Sequence, residues 1–209
     1  MESLTTHESS FFRDAKPFDY FANTLLPQIA EKKDSRSVYV WSAACSSGQE
    51  PYSLAMLIIE FLNKNDPGSL PAVNIIATDL SQAILDKAKK GIFSHFEVQR
   101  GLPTPYLIKY FKKDGLEWAI SDEIKQLVRF QAHNLIQPHT LTSQRFDVIF
   151  CRNVLIYFDE ATKHKVVQYL CDNLETNGML VLGGSEILSD FGKVFTPVRE
   201  VPGMYQKKE

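Results

Sequence analysis

Apolar positions fall into two alternating rhythms along this chain. Residues 38–41 (VYVW) are β-branched or aromatic and predict a buried strand. Leu54, Leu57, Ile58, Phe61 and Leu62 then recur at i, i+3, i+4, i+7 and i+8, one face of an amphipathic helix. Pro51 forbids a single helix through the whole stretch but suits a first helical turn, where its missing N–H is no loss. Between strand and helix, residues 42–48 (SAACSSG) are almost all small. The pattern repeats at once. VNIIAT (73–78) predicts a second buried strand with Asp79 at its end, and Ser81 predicts the N-cap of a helix over SQAILDKAKK that Gly91 ends. Strand–helix units joined so tightly predict a parallel sheet.

Residues 92–127 interrupt the rhythm with Gly101, Pro103, Pro105 and Gly115. Asp114-Gly115 between two mixed runs predicts a hairpin, hence a small inserted β-subdomain. The alternation resumes with strands at 128–132 (VRFQA), 146–151 (FDVIFC) and 179–182 (MLVL). A helix capped by Asp159, with Val166, Val167, Leu170, Cys171 and Leu174 on its inner face, is predicted to end at Asn177-Gly178. The tail reads as a terminal hairpin. Ahead of the first strand, residues 18–30 predict a short packed helix. The whole is expected to be one α/β domain over residues 1–209, with residues 1–36 as a covering segment and linker helix.

Composition narrows the function classes. The chain has 209 residues, 44% of them apolar, enough for one core. Lys plus Arg total 23 against 25 Asp plus Glu, a formal net charge of −2, which disfavours a protein built to grip nucleic-acid phosphates. The longest apolar run is broken by Glu60, short of a membrane span. The N-terminus has no basic and apolar secretory pattern. Cys45, Cys151 and Cys171 form no CxxC pair, and the histidines show no metal-ligand spacing, so neither a metal nor a disulfide framework is expected. A cytoplasmic location follows as an expectation.

In a doubly wound sheet the parallel strands end on one edge, and ligands bind there. The predicted strand ends carry the 42–50 loop, Asp79, Asn134, Arg152-Asn153 and residues 183–186 (GGSE). Four of these have a plainer reading as well: a tight turn for the loop, helix capping for Asp79, turn residues for Asn134 and Asn153. Together they predict a binding rim. The loop has Gly48 as its single glycine and lacks both GxGxxG and GxxxxGK[ST], which disfavours a dinucleotide or a nucleoside triphosphate. A nucleoside without phosphates, with Asp79 on its ribose, fits better, and S-adenosylmethionine is the candidate cofactor.

WSAACSSGQEPYSLAM, ATDLS, FDVIFCRNVLIYFD and GGSE, preceded by TTHESSFFRD, resemble the catalytic domain of the chemotaxis-receptor glutamate methyltransferases of the CheR type. The likeness runs from Thr5 to Tyr205. It implies a Rossmann-like sheet of seven strands with the last antiparallel. It also implies methyl transfer from S-adenosylmethionine to glutamates on a chemoreceptor's cytoplasmic helices, leaving S-adenosylhomocysteine. Cofactor-binding positions implied by the resemblance are His7, Ser9, Arg13, Ala44, Glu50, Asp79, Asn134 with Leu135, and Asn153 with Val154. Arg13 and Tyr157 are the positions implied to lie nearest the reacting groups.

His7 stands where the family usually has Asn, and Ser9 where it has Thr. The first motif begins close to Met1, so the resemblance covers the catalytic domain without the family's N-terminal helical domain. The hairpin lacks a glycine-rich insertion, which implies an enzyme that does not tether to a receptor's C-terminal pentapeptide. A monomer is expected. Two other readings are a cofactor-bound docking module with little turnover and a methyltransferase acting on another protein carboxylate. Nucleic-acid methylation is disfavoured by the absence of an NPPY-like or Pro-Cys motif.

Overall fold

A computed structural model describes residues 9–32, 37–65, 68 and 70–209. Its main sheet has seven strands in the order β6-β2-β1-β7-β8-β10-β9. These are β1 (Val38–Ala43), β2 (Val73–Asp79), β6 (Val128–Ala132), β7 (Phe146–Cys151), β8 (Leu174–Leu182), β9 (Phe195–Pro197) and β10 (Met204–Lys207). The first five in spatial order are mutually parallel, and β10 lies antiparallel between β8 and β9. The expected sheet, with its reversed last strand, is therefore present.

The strands read as continuous apolar runs because both faces are covered. Val40, Phe150 and Val181 belong to one core cluster with helix α3 (Gln49–Lys64). Trp41, Ile149 and Leu180, their alternate neighbours, belong to a second cluster with helix α8 (Glu160–Asn173). Side chains alternate across a strand, so each strand feeds both cores. Ser81 caps α4 (Gln82–Lys90), accepting the Ile84 N–H, and Asp159 caps α8, accepting from Thr162, as expected.

Three local expectations are corrected. α8 ends at Asn173 rather than at Asn177-Gly178, and β8 begins at Leu174. Phe146 pairs with Leu174 but Val148 pairs with Met179, so the extra residues bulge out of the sheet, with Asn177 left-handed at φ 62. Strand pairing overrides the turn signal there. The N-terminal helix runs as α1 (Lys16–Tyr20), a π-helical turn (Phe21–Leu25) and α2 (Leu26–Glu31). Pro27 has no N–H to donate and its ring crowds the carbonyl four residues back, and the wider turn lies directly before it. Residues 92–127 hold the predicted hairpin, β4 (Phe111–Asp114) and β5 (Glu117–Ile120), but also β3 (Ile92–Ser94) on the far side of β5. Short helices α5 (His95–Gln99), α6 (Thr104–Tyr110) and α7 (Asp122–Lys125) complete the insertion.

Candidate functional site

Strand register brings the expected ends into line. Ala43 pairs with both Thr78 and Cys151, Cys151 with Leu182, and Asp79 with Ala132. The residues that follow these strands, from Ala44 to Gly183, therefore share one rim. Backbone strain collects beside it: Phe12 (φ 47), Asp14 (φ 54), Ala44 (φ 56), Ser46 (φ 50) and Asn153 (φ 58) are left-handed. Non-glycine residues hold such conformations only where surrounding structure imposes them, and they gather at binding sites.

Glu50 occupies the first turn of α3, behind Gly48 at φ 94. A side chain at Gly48 would have to fit within 3.1 Å of Ala88 Cβ and 3.2 Å of Tyr52, so the turn admits little else. Ser42 Oγ donates to Glu50 Oε1 at 2.7 Å and Arg152 Nη1 reaches Oε2 at 3.5 Å. Burial pushes the Glu50 carboxyl above its ordinary range, while Arg152, Ser42 and Arg13 pull it back. Arg13 thus lies within electrostatic reach of Glu50. Asp79 accepts the Ser46 N–H at 2.9 Å on Oδ2 and the Ser81 N–H at 3.1 Å on Oδ1. Asp79 thus makes a side-chain turn onto Ser81 and does not cap α4 itself, whose N-cap is Ser81. Each oxygen keeps a further lone pair, which two ribose hydroxyls would use.

The segment ahead of α1 is clamped to this rim at three points. Phe11 is fully buried against Phe93 and Phe111 of the insertion, with ring centroids 5.0 and 5.6 Å away. Gly101 makes room for it, since a Cβ there would stand 2.1 Å from the Phe11 carbonyl oxygen. The Phe12 N–H donates to Ser53 Oγ at 3.1 Å. Asp14 accepts from Arg152 Nη2 at 2.7 Å. Ser9 and Arg13 are half-buried along the same segment. His7 lies outside the described residues.

On the far side of the rim, Glu186 is 3% exposed and receives four backbone N–H groups. Oε2 takes those of Gly183 (2.6 Å) and Asn153 (2.9 Å), and Oε1 those of Leu155 (2.9 Å) and Ile156 (3.3 Å). Asn153 and Val154 are held in place by this carboxylate, and Tyr157, 52% exposed, follows in the short helix Leu155–Tyr157. Asn134 Oδ1 accepts the Ile136 N–H at 2.9 Å, so Asn134 forms a side-chain turn with Leu135 buried inside it. Glu186 and Arg152 fall within the expected rim, but the sequence assigns neither of them a role there. The signal available for Glu186 is a carboxylate at the end of the Gly183-Gly184-Ser185-Glu186 run that closes a strand.

Cys45 and Cys151 are buried and free. Burial raises both thiols, and nearby carboxylates add to it, so neither suits a nucleophile. His133, at the end of β6, is 4% exposed with neither ring nitrogen partnered, packed near Trp41, Tyr169 and His139. Burial, then His139, lowers its pKa to about 4. A depressed histidine stabilises the fold fully above its unfolded pKa and loses that contribution as pH falls from about 6.5 towards 4. His133→Phe is expected to flatten the decline of Tm across that window. An equally steep decline in the variant would place the acid sensitivity elsewhere.

The rim suits a cofactor that is cationic at one end and carries a ribose. Two carboxylates, Glu50 and Asp79, flank the small-residue loop. Ser46 Oγ and Arg152 Nε are buried without a hydrogen-bond partner, leaving polar capacity unused at the same rim. Among the described residues no group of three or more His, Cys, Asp or Glu is placed to hold a metal, and no helix is long and apolar enough to cross a membrane.

A family model described as CheR methyltransferase, SAM binding domain, matches residues 7–202. The chain is 44% identical to a chemotaxis protein methyltransferase of Vibrio anguillarum over 209 residues, 99% of this chain and 74% of the relative. It is 43% identical to chemotaxis protein methyltransferase 1 of Vibrio cholerae, again over 99% of this chain and 74% of the relative. To chemotaxis protein methyltransferase 1 of Pseudomonas aeruginosa it is 39% identical, over 98% and 74%. Among solved structures, the DszA carbon methyltransferase matches with a TM-score of 0.52 at 15% identity, over 84% of this chain and 36% of that one, a likeness of fold. The family match spans nearly every element that builds the rim, from Phe11 to Glu186. On that ground the chain belongs to the CheR methyltransferase family, as its S-adenosylmethionine-binding domain.

Proposed function

We propose that this protein transfers a methyl group from S-adenosylmethionine to glutamate carboxylates on a chemoreceptor's cytoplasmic helices. The observation that carries this reading is Arg13, half-buried on a clamped segment at the cofactor rim, with its charge felt at Glu50. A cation there suits an anionic acceptor. The relatives' names place them in chemotaxis, which supports the receptor as partner. The hairpin between β4 and β5 turns on Gly115 and Leu116 alone, which supports an enzyme that needs no pentapeptide tether. It acts in the cytoplasm and as a monomer.

Bound at the rim, S-adenosylmethionine supplies a methyl group already activated on a sulfonium. A glutamate carboxylate, with a reference pKa of about 4.3, is ionised at neutral pH and needs no general base. The protein's task is therefore alignment and removal of water. Asp79 holds the ribose, Asn134 and Leu135 the adenine end, and Ser9, Ala44, Glu50, Asn153 and Val154 the remainder. Arg13 presents a planar pair of donors to the incoming carboxylate, which Lys would not. Tyr157, exposed at the mouth, adds a hydroxyl to the same group.

Burial keeps the Glu50 carboxyl above its usual range, so its negative charge grows as pH rises through that raised interval. Cofactor affinity measured by calorimetry should rise over the same interval in the wild type and stay flat in Glu50→Gln. Equal pH dependence in both would remove Glu50 from the site.

The function itself is tested with methyl-labelled cofactor and receptor cytoplasmic fragments. Base-labile label released as methanol is the expected result. Stable label means another acceptor, and cofactor binding without label on any fragment means a docking module.

A further inference from the structure

Arg152 is a buried charge at the rim, with its side chain 3% exposed. It joins three stretches distant in sequence: the end of β7, the turn ahead of α1 and the first turn of α3. Nη2 donates to Asp14 at 2.7 Å, Nη1 lies 3.5 Å from Glu50 Oε2, and the guanidinium sits 5.6 Å from the Phe18 ring centroid. Asp14 directly follows Arg13 and is itself 61% exposed. An exposed carboxylate facing an exposed base gains little. Here the base is enclosed and cannot turn to water, so the pairing holds the exposed partner instead. Phe12 and Asp14, on either side of Arg13, are both left-handed, at φ 47 and 54. A turn so constrained needs fixed points, and two flank Arg13 directly: the Phe12 N–H bond to Ser53 Oγ and the Asp14 carboxylate held by Arg152.

We propose that Arg152 is a positioning residue: by holding Asp14 and Glu50 on one guanidinium, it sets the Arg13-bearing turn against the cofactor side of the cleft. This rests on the reading of Arg13 as the residue that guides the acceptor carboxylate. Two carboxylates on separate nitrogens of one planar group require arginine, since lysine offers a single point of charge. The placement of Arg13 is thereby tied to the state of the residue beside the cofactor.

Asp14→Asn is the discriminating variant, because Asn accepts the left-handed backbone as Asp does and only the charge is lost. Turnover is expected to fall by about tenfold to a hundredfold, the scale of a small misplacement of a guiding group. S-adenosylhomocysteine affinity should change by less than about threefold, the signature of an interaction used in the reaction rather than in binding. Hydrogen exchange at the Phe12 amide should quicken by about tenfold with β7 amides unchanged, as for a local opening. Arg152→Lys, which keeps the charge, should show the same split.

Wild-type turnover and Phe12 exchange in Asp14→Asn would overturn the proposal. So would a loss of turnover matched by an equal loss of affinity and faster exchange throughout the sheet, which marks a structural role alone. If the wild type binds cofactor but labels no receptor fragment, the glutamate reading fails by itself. The exchange at Phe12 then still decides whether Arg152 holds the turn.

Discussion

Arg13→Ala is expected to reduce methyl transfer to receptor glutamates by about a hundredfold or more, while S-adenosylhomocysteine binding stays measurable. In the proposed reaction the acceptor arrives ionised and the donor arrives activated, so little remains for the protein except to bring oxygen and methyl into line. A planar guanidinium fixes both the position and the plane of a carboxylate through two hydrogen bonds. Too firm a grip would quench the nucleophile, so the half-exposed setting of Arg13 matters. Solvent there tempers the charge that a dry cavity would magnify. Arg13→Lys should recover only part of the loss, since the charge returns without the fork. Turnover by Arg13→Ala equal to that of the wild type would remove Arg13 from the reaction. Loss of cofactor affinity in proportion to turnover would make it a binding residue instead.

Glu186→Gln is expected to destabilise the fold by about 3 kcal/mol, although the two side chains have nearly the same shape. The carboxylate offers acceptors to four N–H groups, two on each oxygen. An amide keeps one acceptor oxygen and turns an NH2 towards the other two donors. Those donors are enclosed at a 3% exposed site, where an unmet polar group costs about 1–3 kcal/mol. For a chain of 209 residues the loss should lower Tm by roughly 6–12 °C. Cofactor affinity should fall with it, because Asn153 keeps its φ of 58 through the N–H that Glu186 receives. A Tm within about 2 °C of wild type, under 1 kcal/mol for a domain of this size, would show that the rim re-forms without the carboxylate.

Neither Glu186 nor Arg152 stood out among the motifs, although both lie inside them. Arg152 finds Asp14 across 138 residues and Glu50 across 102, and Glu186 finds Asn153 across 33. No local rule links such pairs. The Asn177-Gly178 signal failed in the opposite sense: its turn chemistry is real, since Asn177 is left-handed, yet the pairing of β8 with β7 placed that turn inside a strand. The third strand and the short helices of the insertion were missed because elements of three to seven residues carry too few positions for a period to register.

The sequence by itself determined the order of the main-sheet strands and of α3, α4 and α8, the caps at Ser81 and Asp159, the parallel sheet and the edge on which its polar ends collect. These follow from side-chain period, backbone capping and short connections, all of which act over a few residues. Only the tertiary structure decided that the Phe11–Asp14 segment is clamped to that edge, that Arg152 bridges Asp14 and Glu50, and that Glu186 holds the Asn153 turn. A buried charge must be answered by whatever polar groups the packed chain brings beside it. Which groups those are is set by strand register and packing across the whole domain.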